Sequence, residues 1–206
     1  MNDIPSGDDE VSIIASKALS YFQKKLNKSS QFTFLDIGCG EGRDIDFISS
    51  NLDNLTMRGI DISSRAIKKA VELYSDKDNI TFERMDWKEL DDTQYDIVYM
   101  SGVYHFFNIA NRNAFISKLK KILKSPGFFI LSTLSSNDMQ YYGKGVALKN
   151  DPNSFQSEYF LHFSSEDELR EDFKFLKIVD LFEFFHKNYS NDTEYHTMWM
   201  MIGENI

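Results

Sequence analysis

Phe34-Leu-Asp-Ile-Gly-Cys-Gly-Glu-Gly42 decides how the rest of the chain is read. An apolar run, Phe32–Ile37, meets Gly38, Gly40 and Gly42, and residues 41–50 then have helical character. A strand, a glycine turn and a helix in direct succession are the opening unit of a parallel α/β sheet. A side chain at Gly38 or Gly40 would keep a ligand from the backbone. The turn alone admits two kinds of ligand. The dinucleotide pattern G-x-G-x-x-G wants a third glycine where Arg43 stands. A pyrophosphate on this helix N-terminus would also face Glu41, Asp44 and Asp46, against the preference of such termini for anions. Acidic surroundings suit a ligand with cationic groups and no phosphate.

Working outward, the same rhythm repeats. Residues 55–61 read as a second strand, and 63–74 as a helix with Ser63 as N-cap. Strands follow at 79–85 and 95–100. A helix at 112–123 is ended by Ser125-Pro126-Gly127, and a fifth strand covers 128–134. Upstream, Ile14, Ala18, Leu19, Phe22 and Leu26 have helical spacing, giving a helix over 11–26 that covers a sheet edge or caps a substrate. Residues 135–164 have no clear period, as a functional or mobile loop would. A short helix at 164–173, with Ser164 or Ser165 as cap, precedes strands at 174–185 and 194–202, joined by a turn at 188–192. The pattern predicts a Rossmann-like three-layer α/β sandwich, its mostly parallel sheet ending in an antiparallel hairpin. Ligands in such sheets sit outside the carboxyl ends of the strands. Residues 1–206 are expected to form a single domain, with 1–30 as an N-terminal helical cap and 135–164 as a lid-like insertion.

Composition agrees. A chain of 206 residues, 42% hydrophobic and 15% aromatic, suits one α/β domain with a real core. Its net charge of −9 argues against a large nucleic-acid surface. No apolar run approaches a membrane span. Met1–Glu10 is polar and acidic, unlike a signal or transit peptide, so a cytoplasmic location is expected. The single cysteine, Cys39, excludes an internal disulfide framework and a cysteine-rich metal site. His105, His162, His186 and His196 have no metal-ligand spacing, so no metal is expected. A small molecule is the expected partner, with no membrane or nucleic acid, for a monomer or homodimer.

Carboxylates recur at strand ends. Asp36 reads either as a turn cap or as a contact to a ligand ammonium. Asp61, in Gly59-Ile-Asp-Ile-Ser63, can accept two hydrogen bonds from vicinal ribose hydroxyls and would repel a 2′-phosphate. Its alternative, an N-cap, is weakened because Ser63 and Ser64 are available. Asp86, in Met85-Asp-Trp87, can accept from an adenine amino group, with Trp87 giving a backbone contact or an aromatic wall. Beyond the fourth strand, His105 reads either as a general base with a pKa suited to neutral pH or as a packed residue. Tyr141, Tyr142, Tyr159, Phe160, His162 and His196 either line an acceptor pocket or pack the insertion onto the body.

These residues together resemble a known family. Phe34–Arg43 resembles the first motif of class I S-adenosylmethionine-dependent methyltransferases, Gly59–Ile62 the acidic second, Met85–Trp87 the third and Tyr95–Phe106 the fourth. Leu123–Leu131 is similar to the segment leading into their fifth strand. The resemblance covers residues 30–134 closely and the whole chain in outline. It implies a seven-stranded sheet whose last strand is antiparallel. It also implies S-adenosylmethionine as cofactor, held by Asp36, Gly38, Cys39, Gly40, Arg43, Asp61, Ile62, Asp86, Trp87 and Ser101. Tyr142–Gly145 and His162–Leu169 are similar to small-molecule methyltransferases of the tellurite-resistance type. The Asn/Asp-Pro-Pro-aromatic motif of adenine and glutamine N-methyltransferases is missing, as is a nucleophilic cysteine after the fourth strand. The implied reaction moves a methyl group to an O, N, S or chalcogen atom of a small molecule. A hydroxyl acceptor would need a base, to be sought at His105 or Tyr104. A non-catalytic cofactor-binding module and a nicotinamide-dependent oxidoreductase are the alternative expectations.

Overall fold

The computed structural model describes residues 12–187 and 195–206; Met1–Glu10 and the expected turn at 188–192 lie outside them. Seven strands form one sheet in the order β3-β2-β1-β4-β5-β10-β9. Its members are β1 (Phe32–Ile37), β2 (Leu55–Asp61), β3 (Ile80–Arg84), β4 (Tyr95–Ser101), β5 (Leu123–Leu134), β9 (Lys177–Lys187) and β10 (Tyr195–Asn205). The first five are mutually parallel. β10 pairs antiparallel with both β5 and β9, so β9 runs with the first five and β10 alone is reversed. From β1 the chain builds outward through β2 to β3, then crosses back to β4. Strand order therefore reverses between β1 and β4, which opens a crevice at their carboxyl ends.

Two apolar layers enclose the sheet because strand side chains alternate in direction. Phe34, Tyr99 and Ile130 face one layer with α1 (Ile13–Lys25) and α2 (Arg43–Ser49). Leu35, Val98 and Phe129 face the other, which includes α4 (Ile109–Ile122) and α5 (Glu166–Asp172). α1 forms under a Ser12 N-cap, whose side chain accepts from the Ala15 N–H, and buries Ile14, Ala15, Ala18, Leu19 and Phe22. Phe22 packs edge-on against Phe34. α3 (Ser64–Leu73) is capped by Ser63 as expected.

The structure departs from the sequence reading in three places. α4 begins at Ile109, three residues before the expected Arg112, because Asn108 caps it by accepting from the Asn111 N–H. It passes directly into β5, so Ser125-Pro126-Gly127 lies within a strand and does not separate two elements. Residues 135–164 are not structureless: β6 (Val146–Ala147), β7 (Ser154–Gln156) and β8 (Phe160–His162) form a small antiparallel sheet. Strands of two and three residues are too short to show a period of two. Phe163 packs this part onto the end of the main sheet, in an apolar cluster with Leu134 of β5 and Met198 of β10. Among the described residues, no helix is long and apolar enough to cross a membrane.

Phe22 is fully buried where α1 meets the sheet. Phe22→Ala is expected to lower stability by about 3–5 kcal/mol in urea denaturation. A loss under about 1 kcal/mol would show that α1 does not unfold with the sheet.

Candidate cofactor and acceptor site

Backbone hydrogen bonds hold the glycine turn onto the neighbouring strand. The N–H groups of Gly38 and Cys39 both donate to the Ile60 carbonyl, at 2.8 and 3.0 Å. Gly38 has φ +79°, and a Cβ there would lie 2.2 Å from Val103 Cγ2, so this position has neither the conformation nor the space for a side chain. Gly40 has φ +55° and differs: nothing lies within 4 Å of its virtual Cβ. Gly102, at the end of β4, likewise faces open space. The turn and the β4 end thus border a gap between β1 and β4.

Asp61 fixes the turn from the side. Its Oδ2 accepts from the Gly40 N–H at 2.9 Å and its Oδ1 from the Ser63 N–H at 2.8 Å. It does not cap α3, since Ser63 Oγ accepts from the Ala66 N–H. Each carboxylate oxygen retains a lone pair for a ligand hydroxyl. Asp36 lies beneath the turn and is 2% exposed. Burial, with the charges of Asp44 and Asp61 adding to it, holds its carboxyl well above the usual range. Among the described residues nothing donates to it. A buried carboxyl without a donor, beside a gap that a Cβ at Gly40 would enter, suits a ligand with an ammonium group.

The remaining cofactor-side residues fall as follows. Cys39 Sγ fills the space that a side chain at Gly59 would need, and burial, then Asp36 and Asp61, push its thiol up, leaving it inert. Arg43 opens α2. Ile62 is exposed just past β2. Asp86 Oδ1 accepts from the Lys88 N–H and caps the short helical turn Trp87–Glu89. The Trp87 indole packs between Phe107 and Phe115, which leaves only its backbone for ligand contact. Ser101 Oγ lies 3.2 Å from Ser132 Oγ, which also accepts from the Gly102 N–H.

Sequence reasoning passed over Asp44, noting only that it is acidic and near a helix start. Its Oδ2 accepts from both Tyr99 Oη at 2.7 Å and Ser12 Oγ at 2.8 Å, linking the starts of α1 and α2 to β4. No local pattern signals this, because the two donors stand 32 and 55 residues away in sequence.

On the acceptor side the expectations divide. Tyr104 is fully buried and its hydroxyl donates to Asp172 at 2.8 Å, so burial and Asp172 push the phenol up and it faces no ligand. His105 is 7% exposed and its Nδ1 has no hydrogen-bond partner. Burial, with smaller effects from His196, His162 and His186, pushes its pKa down to about 3. The expected base poised near neutral pH is therefore corrected: this imidazole is neutral throughout the physiological range. His162 is fully buried, with Nδ1 bonded to Ser154 Oγ at 2.9 Å. Tyr142 packs on Phe155 and Phe163, and its hydroxyl donates to Asn153. Tyr141 and His196 are brought together, with ring centroids 4.6 Å apart. His196 Nδ1 lies 3.8 Å from Asp138 Oδ2, a buried carboxylate fixed by the N–H groups of Gln140, Tyr141 and Thr197. His186 is paired across from His196 in the β9–β10 register. Among the described residues no group of His, Cys, Asp or Glu is arranged to hold a metal.

Comparison with known proteins agrees with this arrangement. Residues 35–129 match the family described as a methyltransferase domain. The chain is 30% identical over 113 residues to the cyclopropane-fatty-acyl-phospholipid synthase of Escherichia coli K12, covering 55% of this chain and 29% of that protein. It is 26% identical over 167 residues to malonyl-[acyl-carrier protein] O-methyltransferase 2 of Ilyobacter polytropus, covering 72% and 64%. The matches thus span less than two thirds of either relative's length. Among solved structures, an S-adenosylmethionine-dependent methyltransferase from Methanosarcina mazei superposes with a TM-score of 0.73 at 18% identity, over 90% of this chain and 97% of that one. TehB from Haemophilus influenzae superposes at 0.69 and 16% identity, over 93% and 62%. In its sheet order and in the glycine turn between β1 and α2, the chain has the fold of these methyltransferase structures, and residues 35–129 match the methyltransferase-domain family.

Proposed function

We propose that this chain transfers a methyl group from S-adenosylmethionine to a nucleophilic atom of a free small molecule. The observation that carries the reading is Asp36: a buried carboxyl with no donor, beside the open face of Gly40. Asp36 receives the ammonium of the donor, Asp61 its ribose hydroxyls, and Asp86, next to Ile62 and the Trp87 backbone, its adenine. Gly38, Cys39 and Gly40 let the backbone approach, with Arg43 and Ser101 bordering the same gap. Bound S-adenosylmethionine supplies an electrophilic methyl on a sulfonium, so the activation is the cofactor's own. The chain's task is to align the acceptor in line with that methyl and to exclude water.

The acceptor side narrows the class of nucleophile. A histidine whose pKa lies near 3 takes no proton at neutral pH, and the Tyr104 hydroxyl is already engaged by Asp172. His105 then serves as a neutral hydrogen-bond partner. That favours acceptors already carrying a free lone pair, an amine, thiolate or chalcogenide, over a hydroxyl that must lose its proton in the reaction. Tyr141 and His196 supply the facing wall. The one cysteine, a packed thiol, fits a reducing compartment, so the proposal places the protein in the cytoplasm as a monomer or homodimer.

Labelled-methyl transfer into a fractionated metabolite extract is expected to yield a labelled small-molecule product; binding of the donor with no transfer to any fraction would refute catalysis. Asp61→Ala is expected to weaken S-adenosylhomocysteine about a hundredfold, since both hydroxyls lose an acceptor and Gly40 loses its anchor. Unchanged affinity by calorimetry would refute the ribose assignment. Asp36 gives a pH prediction. Its folded-state pKa is raised, so the ligand-free fold holds a proton that the unfolded chain has lost, and stability falls as pH rises above the ordinary carboxylate range. Asp36→Asn removes that penalty: the ligand-free protein should gain stability at neutral pH while binding S-adenosylmethionine about tenfold more weakly. Within the pH window that the raised pKa opens above the ordinary carboxylate range, wild-type binding should release a proton, read as a buffer-dependent heat, and the variant should release none.

A further inference from the structure

Arg112 is 3% exposed and Asp151 5%, a charged pair almost without solvent. Arg112 Nη2 donates to Asp151 Oδ1 at 2.7 Å, and Nη1 donates to the Phe107 carbonyl at 2.9 Å. Asp151 Oδ2 accepts from the Ile109 N–H at 2.8 Å. One carboxylate from the 135–164 segment thus closes the first turn of α4 and holds the arginine of that turn. Glu168 of α5 approaches the same guanidinium at 3.4 Å. Its Oε1 also lies 3.1 Å from His162 Nε2, off the axis for a hydrogen bond, while His162 Nδ1 meets Ser154 of β7. α4, β7, β8 and α5 are therefore joined through one buried polar network.

That network surrounds the turn Tyr104–Phe106, which carries His105. Tyr104 is tied to Asp172 of α5 at the entry, Arg112 holds the Phe107 carbonyl at the exit, and β8 packs directly against the turn. A segment that swings open needs an interface that water re-enters at little cost. Lifting residues 146–162 would instead break the Arg112–Asp151 pair and the Asp151 bond to the Ile109 N–H together, leaving Arg112 with the Phe107 carbonyl and Glu168. Burial pushes the Asp151 carboxyl up, yet Arg112 and the Ile109 N–H hold it below the usual carboxylate range.

We infer that residues 135–164 are a fixed wall of the acceptor site, and that Arg112 and Asp151 are positioning residues that set where His105 stands relative to the methyl donor. The acceptor part rests on the methyltransferase reading above; the fixed wall does not. Among the described residues, the pair bonds to Phe107, Ile109 and Glu168 and to none of Asp36, Asp61 or Asp86, so it acts on acceptor placement and leaves donor binding alone.

Hydrogen exchange on the intact chain, with and without S-adenosylhomocysteine, tests the wall. β7 and β8 amides stay protected in both states, and the ligand slows exchange around Gly38–Gly42. Asp151→Asn speeds exchange in β7 and β8 about tenfold or more, while S-adenosylhomocysteine affinity stays within about twofold. In a dilution series of the metabolite extract, the same variant raises the amount of extract needed for half-maximal methyl transfer at least about fivefold. Should Asp151→Asn fail to fold, Arg112→Lys carries the test: it keeps the charge facing Asp151 but cannot also hold the Phe107 carbonyl. It keeps β7 and β8 protected and still raises the half-maximal amount. Wild-type β7 and β8 amides that exchange freely, or gain protection only when ligand binds, would overturn the fixed wall. An unchanged half-maximal amount in the folded variant would overturn the positioning role. A wild-type chain that binds no S-adenosylhomocysteine refutes the methyltransferase reading, and protected β7 and β8 amides in that chain still support the wall.

Discussion

Asp61 places one carboxylate oxygen on the Gly40 amide and the other on the Ser63 amide, so the end of β2 holds both the glycine turn of the adjoining strand and the start of its own helix. The Ile60 carbonyl, one residue earlier, takes the Gly38 and Cys39 amides. The three bonds to Gly38, Cys39 and Gly40 determine the path of the backbone between β1 and α2. That path in turn leaves Gly40 facing free space and Asp36 beneath it without a donor. Remove the carboxylate and the turn loses its lateral support, whatever is bound. The proposed ligand contact and the structural role thus fall on the same two oxygens.

How far the sequence could be read depends on where each residue finds its partner. β1 and β2 match the expected bounds because buried parallel strands are near-continuous apolar runs bounded by turn residues. Ser63 was legible as a cap because an N-cap bonds within its own turn. The start of α4 was not. Ile109 there is exposed and Arg112 is buried, so the apolar period is inverted at the point where a reader looks for it. The Ser-Pro-Gly segment has the composition of a breaker, yet the strand continues through it, with an irregular register against β4 between Tyr95 and Ile97. The strand-end carboxylates were legible because topology fixes where strand ends lie. Tyr104 was not legible as a packed residue, and for His162 packing stood beside a pocket reading, because Asp172 and Ser154 reach them only after folding.

The two sides of the crevice differ in how their charges are handled. On the donor side Asp36, Asp44 and Asp61 gather carboxylates, and only Asp44 is given strong side-chain donors, Tyr99 and Ser12. On the acceptor side charges are paired or suppressed. Arg112 is matched by Asp151, and burial pushes both His105 and His186 down. The first side therefore favours an incoming cation, as the proposed donor requires, while the second holds these imidazoles neutral.

The reversal of β10 has a consequence of a different kind. Because this strand runs against β5 and β9, the end of β9 at Lys187 and the start of β10 at Tyr195 emerge beside the end of β5, where residues 135–164 also depart. The crevice is thus assembled from two stretches of chain that scarcely overlap. Residues up to about Gly102 furnish one bank, and residues beyond it furnish the other. Insertion or exchange of segments in the second bank therefore leaves the bonds that hold Gly38, Cys39 and Gly40 in the first bank untouched.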